Sequence, residues 1–182
     1  NILDKLKINY FLHSGILLGA IRDNDFIKWD WDIEISVFGE EFDSKINKVV
    51  DELKCNNFKI LNVNKKANDS KIDFIGELDK SVTGYTIWSW YYSKLRKVYW
   101  RRELSVPKKY LQNLASIKFM GREFKCPSNP KDYLSYAYGD WRIPIRTSDK
   151  DRYLSNKFKN KSIAKFLEFI KTLKRILYKL KI

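Results

Sequence analysis

The sequence predicts an α/β domain, and three observations carry that prediction. Residues 32–37, DIEISV, alternate polar and apolar side chains, the period of a strand with one buried face. Residues 40–55 place Phe42, Ile46, Val49, Val50 and Leu53 three and four residues apart, the period of a helix with one apolar side. Two further strand-like runs follow, FKILNV at 58–63 and KIDFIGEL at 71–78, separated by the polar turn NKKANDS, so a helix joins two strand regions.

The other elements follow in chain order. Residues 2–9 read as the end of a helix and YFLH (10–13) as a short buried strand. Ser14 and Gly15 break that strand, and ILLGAIR has the length and spacing of a short helix starting at the turn. GYTIWSWYYS (84–93) is aromatic and β-prone, and LASIKFMGREFKCP (114–127) reads as a hairpin turning at Met120–Arg122. NPKDYLSYAYGDW suggests a helix begun by Asn129 and Pro130 and stopped near Gly139. From about residue 151 the chain becomes Lys-rich, and 162–182 is expected to form a basic amphipathic helix with Ile163, Phe166, Ile170, Leu173, Leu177 and Leu180 on one side. The expected division is a main unit, 1–150, and a helical tail, 151–182.

Composition limits the function. A chain of 182 residues with 44% hydrophobic side chains can bury a real core, which excludes a disordered segment. A net charge of +14 points to a phosphate-bearing or polyanionic partner or to an anionic membrane surface. Two cysteines and one histidine exclude a disulfide framework and a zinc knuckle, and suggest a reducing compartment. No apolar run approaches the roughly 20 residues that span a bilayer. Asn stands at position 1 and Met120 is the sole methionine, so the sequence is expected to be a segment of a longer chain.

Against that positive charge, Asp30, Asp32 and Glu34 stand at alternate positions after the Ser-Gly turn and the short apolar run that follows it. Carboxylates at i and i+2 of a strand leave the same face with Cβ atoms roughly 7 Å apart, and such a pair can converge on one hard cation. A solvated edge strand or salt bridges to Lys and Arg would give the same pattern. The turn adds a helix N-terminus, which attracts phosphate. Together they make a phosphoryl-transfer arrangement. The run WYYSKLRKVYWRRE (90–103) offers Arg96, Arg101 and Arg102 for one phosphate contact among them, while most of its members suit a surface element with core aromatics. His13, just before the turn, suits a core or supporting position.

These residues also carry a resemblance. SGILLGAIRDNDFIKWDWDIEI (14–35) resembles the nucleotidyltransferase-fold signature of the LicD and fukutin-related family, a small-Gly turn, an LLGA-R helix and W-D-x-D-x-D. CPSNPKDYLSYAYGDWRIP (126–144) is similar to that family's P-x-N-P-x-x-Y-L-x-x-x-Y-G-D block. The resemblance implies a nucleotidyltransferase-like mixed sheet flanked by helices, with residues 1–150 as its catalytic domain. It implies that Asp32 and Glu34 bind Mg²⁺ or Mn²⁺, that Asp30 joins them at the metal and helps to order the site, and that Asp73 in KIDFI is the third carboxylate, with Glu77 as its substitute. Ser14 and Gly15 match the phosphate-facing turn, Arg22 the LLGA-R arginine, and Tyr138, Gly139 and Asp140 the YGD block. Ile16 and Lys28 depart from the family's usual Thr and Pro.

The implied activity is metal-dependent transfer of a phospho-alcohol group (phosphocholine, ribitol phosphate or glycerol phosphate) from a CDP-linked donor to a glycan hydroxyl. The acceptor would be a capsule or lipopolysaccharide glycan, lipid-linked forms included. The protein would be cytoplasmic or peripheral on the inner face of a bacterial membrane, with no nucleic-acid partner. The alternatives are a nucleotidyltransferase acting on a small alcohol or sugar phosphate, and a non-catalytic basic module that binds nucleic acid or membrane.

Overall fold

A computed structural model of the chain describes residues 2–78, 81–155, 157–159 and 172. In order its elements are α1 (Ile2–Lys5), β1 (Tyr10–Leu12), α2 (Ser14–Arg22), β2 (Asp32–Phe38), α3 (Gly39–Cys55), β3 (Lys59–Asn64), β4 (Lys71–Leu78), β5 (Ser81–Ser93), β6 (Val98–Arg101), β7 (Leu104–Pro107), α4 (Lys108–Leu111), β8 (Ala115–Phe119), β9 (Arg122–Cys126), α5 (Pro130–Tyr138) and α6 (Lys150–Tyr153). The fold is mixed α/β, consistent with a nucleotidyltransferase-like fold. The first helix is shorter than the apolar spacing of residues 2–9 suggests, because Lys7 takes a left-handed conformation (φ 51°) and turns the chain into β1.

Seven strands form one mixed sheet with the central order β1-β2-β5-β4-β3, and β6 and β7 extend it from the far end of β5. Only β2 and β5 among these neighbours run parallel. The long helix α3 provides the crossover that a parallel neighbour needs. Its face of Phe42, Ile46, Val49 and Leu53 packs on Val37, Ile72, Phe74 and Ile87 from one side of the sheet, with Leu3 and Ile8 closing the layer. The other side carries a second core, in which Leu17 of α2, Trp90 of β5, and Tyr133, Leu134 and Ala137 of α5 are buried together.

The β8–β9 hairpin forms a separate two-stranded sheet turning at Met120 and Gly121, both in the left-handed region (φ 48° and 74°). The aromatic-basic run of residues 90–103 is a hairpin too. Its β5 and β6 arms meet at Tyr91, Tyr92 and Ser93, with exposed Lys94, Leu95, Arg96 and Lys97 at the tip. Helix α5 ends where Gly139 takes φ 71°, a conformation that costs glycine least. Past α6 the chain stays against the main unit. Ser155 donates its N–H to Ala137 O at 2.8 Å, and Phe158 is buried in the second core. The helix expected over 162–182 lies outside the described residues but for Thr172.

Candidate functional site

Strand alternation and register build the acidic face. In the parallel pair, Asp32 stands opposite Gly84, Glu34 opposite Thr86 and Ser36 opposite Trp88. Asp73 of β4 lies opposite Thr86 on its other side. Glu34, Thr86 and Asp73 thus form one row across three strands and share a face. The alternating Ile35 and Val37 point the other way, into the core under α3. Lower on the same face, Ser36 accepts a hydrogen bond from Trp90 Nε1 at 3.1 Å, so this end of β2 is held in the sheet rather than solvated.

A cleft of about 680 Å³ opens over the N-terminal end of β2. Asp30, Asp32 and Glu34 line it, with Ser14, Gly15 and Arg22 of the α2 region, Arg101 of β6, and Tyr138 and Asp140 from the end of α5. Trp29, Trp31, Ile143 and Ile145, four of the large apolar side chains left exposed, also line the cleft. Both sequence blocks therefore meet at one site. A shallower hollow of about 470 Å³, bordered by Phe38, Tyr92, Tyr99 and Gln112, has Glu40 as its single carboxylate.

The carboxyls in the cleft crowd one another. Asp30 and Asp32 share a hydrogen bond. Burial and the charges of Asp32 and Glu34 push the Asp30 carboxyl up to about 6, and burial and Glu34 raise Asp32 as well. Glu34 Oε1 accepts a hydrogen bond from Trp88 Nε1 at 2.9 Å, which fixes the side chain and leaves Oε2 for a ligand. Among the described residues, no three His, Cys, Asp or Glu side chains are gathered as a closed metal site.

Asp73 shares the face but not the cleft. Lys71 Nζ pairs with it at 2.6 Å, Thr86 Oγ1 donates to it at 2.9 Å and Asn62 Nδ2 at 3.1 Å. These partners outweigh its partial burial and hold its carboxyl below the usual range. Glu77 falls opposite Val82 in the β4–β5 ladder.

The turn that opens α2 is tighter than its sequence suggests. Ser14 has φ 53°, and a Cβ built on Gly15 would lie 2.3 Å from Asp30 Oδ2. The Asp30 carboxyl therefore sits against the helix N-terminus, where negative charge is favoured. A phosphate at this turn would share the space with Asp30. Arg22 lines the cleft, yet its guanidinium is already bound at two points by Asp23, both at 2.8 Å.

The three arginines of the run take different partners, although Arg101 and Arg102 both lie over the Trp88 ring. Arg96 lies exposed at the tip, Arg102 bonds Asp69 at 3.0 Å, and Arg101 alone enters the cleft wall, stacked 3.9 Å over the Trp88 ring. His13 is a supporting residue, as its place before the turn suggested. It is 1% exposed, its Nδ1 bonds Ser14 Oγ at 2.8 Å, and its Nε2 meets the Tyr133 hydroxyl. Burial, then the nearby Arg101 charge, hold its pKa well below 6.5, so the ring is neutral.

Sequence reasoning missed Trp88 and Trp31. The alternation of β5 signals that Trp88 and Trp90 share a face with Thr86, but only the pairing of β2 with β5 shows that Trp88 reaches Glu34. Trp31, with 79% of its surface exposed beside the acids, has a direct sequence signal in its place between Asp30 and Asp32.

Comparison with known proteins identifies the family. Residues 7–129 match the family described as LicD/FKTN/FKRP, nucleotidyltransferase domain. Over 150 residues the chain is 25% identical to the ribitol 5-phosphate transferase FKRP of Mus musculus and to that of Homo sapiens, covering 76% of this chain and 29% of each relative. The chain thus spans about three-tenths of the length of those relatives. With most of its length matched, including the acidic strand and the turn before it, the chain belongs to the LicD/FKTN/FKRP nucleotidyltransferase-domain family.

Proposed function

We propose that this protein transfers a phospho-alcohol group from a CDP-activated donor to a hydroxyl of a glycan, with Mg²⁺ or Mn²⁺ held by Asp32 and Glu34. The observation that carries the reading is the pair of same-face carboxylates at the end of β2, open to a cleft, in a chain of this family. The donor set fits such an ion. Mg²⁺ commonly takes one or two carboxylates and completes its shell with phosphate oxygens and water, and an open pair is what the cleft offers. Burial first, and then the neighbouring acidic charges, raise Asp30 and Asp32, and a bound cation would offset both. When bound, the cation would neutralise the diphosphate and stabilise the CMP leaving group.

The chain's own residues do the positioning. Trp88 orients Glu34 through its Nε1–H, and Asp30 braces Asp32 through their shared hydrogen bond. Ser14 and Gly15 bring the α2 N-terminus to the donor side of the cleft. Asp73, held ionised by Lys71 outside the cleft, supports the acidic row through Thr86 and takes no part in holding the cation. Tyr138 and Asp140, with the apolar rim of Trp31, Ile143 and Ile145, enclose the acceptor. The +14 charge supports a lipid-linked acceptor at an anionic membrane surface. No helix among the described residues is long and apolar enough to cross a membrane.

The test is CMP release from a panel of CDP-linked alcohols with a glycan acceptor and divalent metal. Asp32→Asn and Glu34→Gln are expected to lower it at least ~10³-fold while the protein stays folded, and EDTA to abolish it. Pyrophosphate released from a nucleoside triphosphate would assign nucleotidyl transfer instead. Salt-sensitive polyanion binding that ignores both acid-to-amide changes, with no turnover, would assign a non-catalytic module.

A further inference from the structure

Arg101 ends β6 with 7% of its surface exposed, and its Nη1 is the one buried side-chain nitrogen or oxygen without a hydrogen-bond partner among the described residues. Its guanidinium lies over aromatic surface, 3.9 Å from the Trp88 ring centre and 5.3 Å from that of Trp90. Glu34, whose charge reaches it, gives Oε1 to Trp88 Nε1 at 2.9 Å. The neutral His13 is occupied by Ser14 and Tyr133. A buried guanidinium with an unpaired nitrogen is costly, and tolerable where a ligand supplies the missing bond. Of the other two cleft arginines, Arg22 has its fork filled by Asp23 and Arg146 is exposed to solvent.

We propose that Arg101 is an oxyanion subsite, its guanidinium in the cleft wall binding a non-bridging phosphate oxygen of the donor. The oxyanion chemistry stands on the geometry of Arg101, and its assignment to the donor rests on the function proposed above. The planar guanidinium, pre-oriented on two indoles, suits a phosphate oxygen better than a neutral hydroxyl. The carboxylate of an acidic acceptor sugar has the same chemistry and is the competing source.

The experiment titrates the purified full chain with inorganic pyrophosphate, and separately with glucuronate, by calorimetry in EDTA at low salt. Pyrophosphate is expected to bind the wild type, at least tenfold more weakly to Arg101→Met, and with intermediate affinity to Arg101→Lys. Arg122→Met, at the exposed β8–β9 turn, is expected to bind within twofold of wild type. The urea midpoint of Arg101→Met is expected not to fall, since an unpaired buried charge has gone. Pyrophosphate binding to Arg101→Met within twofold of wild type overturns the subsite, as does a wild type that binds no pyrophosphate. Tighter glucuronate than pyrophosphate binding overturns the assignment to the donor. Should Arg101→Met fail to fold, wild-type affinity in Arg101→Lys overturns the subsite equally. Arg101-dependent pyrophosphate binding without turnover of any CDP-linked donor would keep the subsite and remove the proposed function. Unchanged CMP release in Arg101→Met would do the reverse.

Discussion

Gly15→Ala separates function from stability at this site. A Cβ at residue 15 would lie 2.3 Å from Asp30 Oδ2, whereas ordinary contact begins near 3.4 Å, so the carboxyl must retreat by about 1 Å. Asp30 can do so, because the clash is with the end of a side chain. Its lost interaction with the α2 N-terminus costs about 0.3–1 kcal/mol. Replacing glycine by alanine in a helix returns up to about 1 kcal/mol, so the net stability change stays within about 1 kcal/mol. Gly39→Ala is the contrast. Its Cβ would meet the Tyr91 ring at 2.1 Å, and that ring is pinned by hydrogen bonds from its hydroxyl to Asp43 and from Ser70 N–H to the hydroxyl. Overpacking of that kind costs about 1–3 kcal/mol.

Displacing a positioning group by about 1 Å can cost ~10²-fold in rate, equivalent to about 2.7 kcal/mol. Gly15→Ala is therefore expected to keep its urea midpoint and lose about 10²-fold in CMP release. Gly39→Ala should lose stability instead. Asp30→Ala supplies the cycle: if displacement of Asp30 is the whole effect, the double variant is no slower than Asp30→Ala alone. Turnover of Gly15→Ala within about threefold of wild type, or losses that multiply in the double variant, would refute the placement of Asp30 as a functional contact.

Three further outcomes are expected. Trp88→Phe keeps an aromatic ring beside Arg101 but removes the Nε1–H that holds Glu34 at 2.9 Å, so Mn²⁺ affinity measured by electron paramagnetic resonance should fall about tenfold with little change in melting temperature. His13 has a folded-state pKa depressed below its ordinary 6.5, so its contribution is fully present above about pH 6.5 and lost as pH falls below it. Its share of the decline approaches about 1.4 kcal/mol per pH unit in denaturant titrations, and His13→Gln should flatten that acid limb. Trp31→Ala removes a side chain that is 79% exposed, so stability should move by no more than about 0.5 kcal/mol while acceptor KM rises; unchanged KM would remove Trp31 from the acceptor site.

Much of this protein was legible along the chain because it depends on local periodicity. Alternation assigned Asp32 and Glu34 to one face and Ile33, Ile35 and Val37 to the other, and the four-residue spacing in 40–55 marked the helix that covers the apolar face. Turn chemistry located the β8–β9 hairpin and the stop at Gly139. The short strands β6 and β7 escaped notice because four residues show too little of their period, and the Pro107 that closes β7 reads as a breaker.

Pairing between distant strands lay beyond the reach of local signals. Arg96, Arg101 and Arg102 look interchangeable in sequence, yet a hairpin tip, a cleft wall and an ion pair with Asp69 part them. Asp73 has the right alternation for a third carboxylate, but insertion of β5 between β2 and β4 sets Thr86 between Asp73 and Glu34, about 10 Å apart at two strand spacings. The sequence by itself determined which side chains share a face, because covalent geometry alternates them. Only the tertiary structure decided which faces meet, because strand order, register and the burial of Arg101 arise from contacts between residues far apart in the chain.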